Sequence, residues 1–71
     1  MSETVRIWLA GMVHNEIEQV NGTISNNNLW MHSSETDEEV EMFAENIANL
    51  EEYKSVLETM YKKIEEGTFD V

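Results

Sequence analysis

The chain has no cysteine and no proline, only three glycines, and four lysine or arginine residues against fifteen acids. The missing cysteines exclude a disulfide framework and a thiolate metal site. The shortage of basic residues leaves a net charge of −11, and such a surface repels DNA, RNA and anionic membranes while attracting basic partners. Direct nucleic-acid binding is therefore not expected. No stretch approaches the roughly 20 apolar residues of a membrane span, and the N-terminus lacks a basic segment followed by an apolar run. These absences describe a soluble, cytoplasmic protein of one small domain, since 71 residues bury only a modest core.

The charge is uneven. Residues 35–66 carry eleven acids and three lysines, whereas residues 1–34 carry three acids and Arg6. The acidic half is also the most regular. From Thr36 to Glu66 there is neither proline nor glycine, and Val40, Phe43, Ile47, Leu50, Lys54, Leu57, Tyr61 and Ile64 follow one another at steps of three and four. That spacing predicts a long helix over about 37–66 with a heptad-like seam, about 45 Å long at 1.5 Å per residue. Thr36 with Glu39 forms a capping box, Asp37 to Glu39 suit the positive end of the helix dipole, and Gly67 suits a left-handed stop.

Before it, Ser2 caps a first helix expected over about 3–21. Val5, Trp8, Leu9, Met12, Val13, Ile17 and Val20 form its apolar stripe, flanked by Ile7 and Ala10. Gly11 costs this helix about 1 kcal/mol relative to alanine and would admit a close neighbour. Asn21-Gly22 predicts its end, and the asparagines at 26–28 are turn or cap material. Residues 22–35 are thus expected to form an ordered connector that buries Trp30, and 67–71 a short tail, ordered if Phe69 finds a pocket.

The expected fold is all-α: a helical hairpin with one long C-terminal helix, assembling as a homo-oligomer. A 45 Å rod outruns an 18-residue partner helix, and Met42, Tyr53, Val56 and Met60 form a second apolar set beside the seam. Antiparallel pairing of the long helices through Phe43, Ile47, Leu50, Lys54, Leu57, Tyr61 and Ile64 is the simplest symmetric way to cover them. Lys54 then acts as a register device whose amine reaches Glu51 or Glu58, or it simply snorkels from a drifting stripe.

No catalytic constellation emerges. His14 and Glu18 are four apart, but two ligands do not make a zinc site, and His32 beside Ser33 and Ser34 has no acid to orient it. No enzyme activity, metal or cofactor is expected. Two binding sites are: an acidic face of Glu38, Glu41, Glu45 and Glu52 for a basic partner, and a polar cluster of Thr23, Ser25, Asn27 and Trp30, whose amides, hydroxyls and indole suit a small nucleotide. Structural capping explains the same residues and is the preferred reading of that cluster.

The run V-H-N-E-I-E-Q-V-N-G-T-I-S-N-N-N-L-W-M, followed by E-N-I-A-N-L-E-E-Y in the acidic helix, resembles small helical proteins encoded by phages and prophages, over roughly residues 12 to 66. The resemblance implies a non-enzymatic binding protein in the host cytoplasm. One form is an anti-defence inhibitor whose acidic helix blocks a basic nucleic-acid-binding host protein. Another is an oligomeric sponge for a cyclic-nucleotide signal, held at residues 23–30, and a third is a structural helical assembly.

Overall fold

The computed structural model describes residues 1–69; the last two residues of the expected tail lie outside it. Two helices, α1 (Glu3–His32) and α2 (Asp37–Glu66), each of 30 residues, fold into one hairpin. They run antiparallel, with Arg6 beside Glu65, Glu16 beside Tyr53 and Trp30 beside Phe43. The molecule is all-helical, a rod of 51 × 15 × 13 Å between its outermost Cα atoms.

The ends form as their residues dictate. Ser2 Oγ accepts from the Val5 amide at 3.1 Å, and Thr36 Oγ1 accepts from the Glu39 amide at 3.2 Å. Each satisfies one of the amides that a helix start leaves open. Gly67 closes α2 at φ 72, and its amide donates to the Ile64 carbonyl at 3.1 Å; that left-handed backbone strains any residue with a side chain. Phe69 packs against the core and orders the start of the tail.

Helix α1 corrects the expected boundary. It does not stop at Asn21-Gly22 but continues to His32, so the expected connector 22–35 shrinks to a turn at residues 33–36. Part of the reason lies in where the polar side chains turn. Thr23 Oγ1 donates to the Gln19 carbonyl at 3.0 Å, and Asn27 Nδ2 donates to the Thr23 carbonyl at 2.8 Å. These bonds run back along the helix instead of competing with it. The rest is packing. Val13, Ile17, Val20, Ile24, Asn27 and Met31 repeat at steps of four and three, and all are buried or half-buried. Both helices are thus equally long, and α2 does not outrun its partner.

The core is narrow. Ala10, Val13, Val20, Leu57 and Ile64 are buried, with Leu9, Ile17, Ile24, Leu50, Tyr61 and Phe69 packed around them. The seam read as an oligomer contact therefore faces α1 of the same chain. Phe43 lies 6.0 Å from Trp30 between ring centroids, and Ile47 is half-buried. Lys54 is half-buried in this seam, and neither Glu51 nor Glu58 pairs with it among the described residues. Gly11 admits no close neighbour either, because a Cβ built there meets nothing within 4 Å.

Candidate functional site

The four carboxylates of the expected acidic site lie on one face of α2. Glu38, Glu41, Glu45 and Glu52 are exposed, and their steps of three, four and seven place them on one outward line of α2 spanning about 21 Å. The ion pairs within 4.0 Å among the described residues are Arg6 with Glu3, Arg6 with Glu65, and His14 with Glu18. None neutralises that line. Arg6 holds the Glu3 carboxyl below its ordinary range by hydrogen bond and charge, and Glu3 in turn raises the guanidinium. Both effects sit at the other end of the rod.

The expected nucleotide cluster does not converge. Thr23 and Asn27 line a cleft of about 370 Å³ together with Asn46, Asn49 and Leu50. Ser25 lies two residues from Thr23 and so points roughly 160° away around the helix. Trp30, expected to be buried, is instead 52% exposed, touching Phe43 at the hairpin turn. Asn27 is buried within the seam, where a polar residue among apolar ones favours one register of two helices over its neighbours. Asn46 and Asn49, the amides opposite, gave no signal in sequence, because they are recruited only by α1 continuing past Gly22.

The structure also exposes a surface that the helical spacing had assigned to the core. Val5, Trp8 and Met12 are 46%, 67% and 70% exposed. The buried residues of that half of α1 are Ala10 and Val13, one small and one branched. Together with Met1, Ser2, Leu9 and Phe69, the exposed residues line an apolar cleft of about 510 Å³ at the terminal end of the rod. Spacing extends this stripe along α1 through Glu16, Gln19, Thr23 and Asn26 to Trp30. Glu16 and Thr23 meet α2 at Tyr53 and at Asn46 and Asn49, so the adjoining stripe of α2 is Met42, Asn46, Asn49, Tyr53 and Met60, with Val56 at its edge. Glu16 is the one acid between Val5 and Trp30 in the first stripe, and Glu38 continues the second one turn before Met42. Burying rather than exposing side chains such as Trp8, Met12 or Val56 is worth roughly 1.5–3 kcal/mol each, so this face gains by being covered.

Glu16 is itself engaged. Tyr53 donates its hydroxyl proton to Glu16 Oε1 at 3.2 Å. Partial desolvation, and after it the hydrogen bond to Glu16 and the charge of that carboxylate, raise the phenol above its ordinary value of 10.0. A folded-state value above the unfolded one means stabilisation that is present below about pH 10 and lost as the pH rises through the raised value. In an absorbance titration of tyrosinate, Glu16→Gln should move one ionisation to lower pH. Superimposable titrations of the two proteins would show that the contact does not form.

The histidines stay peripheral. His14 Nε2 lies 3.9 Å from Glu18, both exposed, with its ring 6.1 Å from Tyr61. His32 is exposed at the end of α1. Among the described residues, no group of three or more His, Cys, Asp or Glu side chains is placed to hold a metal ion, and no helix is long and apolar enough to cross a membrane. Comparison with protein-family models, with curated proteins and with solved structures finds no match for the chain.

Proposed function

We propose that the chain is a non-enzymatic binding protein that assembles with itself and uses the outward acidic line of α2 to occupy a basic, nucleic-acid-binding surface of another protein. The observation that carries this reading is the line itself: Glu38, Glu41, Glu45 and Glu52 exposed along one helix, with no cation paired to any of them among the described residues. A rigid rod presents these charges at fixed spacing, so a complementary basic groove can engage several at once without ordering a flexible segment. The resemblance to small phage-encoded helical proteins directs the search for that groove toward host defence proteins.

Attraction of this kind is screened by salt. Between about 0.1 and 1 M the Debye length falls from about 10 to 3 Å, well short of the acidic line, and affinity should fall about tenfold or more. Immobilised chain should retain a basic host protein at the lower salt and release it at the higher. Adding free chain should then displace that protein from its nucleic acid. The quadruple substitution of Glu38, Glu41, Glu45 and Glu52 by lysine should abolish retention and displacement while leaving helix content unchanged, because all four side chains are exposed. Partners whose binding ignores both salt and the quadruple substitution would sink the charge mechanism.

A further inference from the structure

We infer that the low-acid face of the hairpin is the interface between two copies of the chain, which pack antiparallel into a four-helix bundle. This deepens the self-association proposed above by saying where it occurs and in which direction. The seams at Val13, Val20, Leu57 and Ile64 are already joined within one hairpin, so a second copy needs another surface. Val5, Trp8 and Met12 near the termini, with Trp30 and Met42 near the turn, are exposed apolar residues on a face whose acids are Glu16 at mid-rod and Glu38 at its turn end. In a chain of net charge −11, this is the surface on which two copies meet with least repulsion.

Charge sets the direction. Residues 32–45 hold six acids and no lysine or arginine, whereas all four lysine and arginine residues lie within 1–12 and 54–71, against five acids there. One end of the rod is strongly negative and the other is close to neutral and cation-bearing. Stacking like ends would crowd two acidic turns together. Reversing one copy brings Arg6, Lys62 and Lys63 alongside the partner's acidic turn. The same reversal sets Val5 and Trp8 against Trp30 of the other copy's α1, and Met42 toward the Met60–Lys63 end of its α2. Glu16 and Tyr53, which lie at mid-rod and hydrogen-bond each other at 3.2 Å, then fall near the two-fold axis, with Asn49 one turn away. Glu41, Glu45 and Glu52 point aside from this face, so the dimer presents them twice, while Glu38 lies at its edge.

Sedimentation equilibrium of the full chain should give a dimer of the 8.3 kDa protomer. Trp8→Lys, and independently Met12→Lys, should raise its dissociation constant about 30-fold or more, both positions being exposed in the hairpin. Because the chain has no cysteine of its own, direction can be read by cross-linking. Val5→Cys/Trp30→Cys should form disulfide dimers under oxidation, whereas either single substitution should not. Within one hairpin these positions stand tens of ångströms apart, far beyond the ~7 Å limit between bridged Cα atoms. A monomer at all concentrations would overturn both the self-association and its face. A dimer indifferent to both lysine substitutions would leave self-association standing and reject this face. Dimers cross-linked by Val5→Cys alone would reject the antiparallel direction. None of these positions belongs to the acidic line, so capture of a basic protein can succeed or fail independently.

Discussion

Ile64→Asp should leave no folded hairpin. Ile64 has no exposed surface and is the largest side chain so enclosed. Removing its branched chain alone costs about 2–5 kcal/mol. The introduced carboxylate would also be buried without a partner and would sit in the last turns of α2, where the negative end of the helix dipole disfavours it. Domains of this size are held by roughly 0.05–0.15 kcal/mol per residue, so the combined loss exceeds what the chain can spare. Circular dichroism should show helix content collapsing at room temperature. Ile47→Asp tests the same seam where it is only half-buried, and should lower the melting temperature less. If Ile64→Asp keeps wild-type helicity and melting temperature, the seam does not bury that position.

The α2 half of this fold was legible because every local signal agreed. The Thr36 cap, the acids after it, the seam and Gly67 all mark the same bounds, and the structure places α2 at Asp37–Glu66. In α1 the signals conflict. Asn21-Gly22 and the asparagines at 26–28 favour a turn, while Ile24, Asn27 and Met31 continue the buried repeat. Packing along 30 residues of α2 outweighs the local preference, as tertiary context often does. A cue was present in the length mismatch itself: a long rod beside a short partner can be resolved by extending the partner, with no second copy required.

The candidate site divides along similar lines. The acidic line needed only the helical period of α2, so Glu38, Glu41, Glu45 and Glu52 share one face as expected. The apolar stripe of α1 could not be assigned by period alone. Val5-Trp8-Met12 and Ala10-Val13-Ile17 are both helical series, and the first is the bulkier. Which of them faces inward depends on where α2 lies, and the small side chain of Ala10 allows it to lie there. The larger series is left outside, available to a partner.

Gly11→Ala with Gly22→Ala should stabilise the protein by about 2 kcal/mol, and the individual changes decide how α1 is built. Both glycines lie inside α1 with ordinary negative φ, Gly67 being the residue with positive φ among those described. A Cβ at either position meets nothing within 4 Å. Alanine therefore adds no clash, and each change contributes about 1 kcal/mol through helix propensity. The sites are three turns apart on the helix, so the effects should add, raising the melting temperature by roughly 8–16 °C for a domain this small. Gly67→Ala should do the opposite, because its φ of 72 is one that a side chain disfavours. Gly22 is the discriminating position. If α1 ended at Asn21-Gly22, with glycine supplying a left-handed stop, Gly22→Ala would destabilise the chain as Gly67→Ala does. Stabilisation at 22 and destabilisation at 67, measured by thermal denaturation of the single variants, is the pattern that a continuous 30-residue α1 requires; loss at both positions would restore the short helix and the connector.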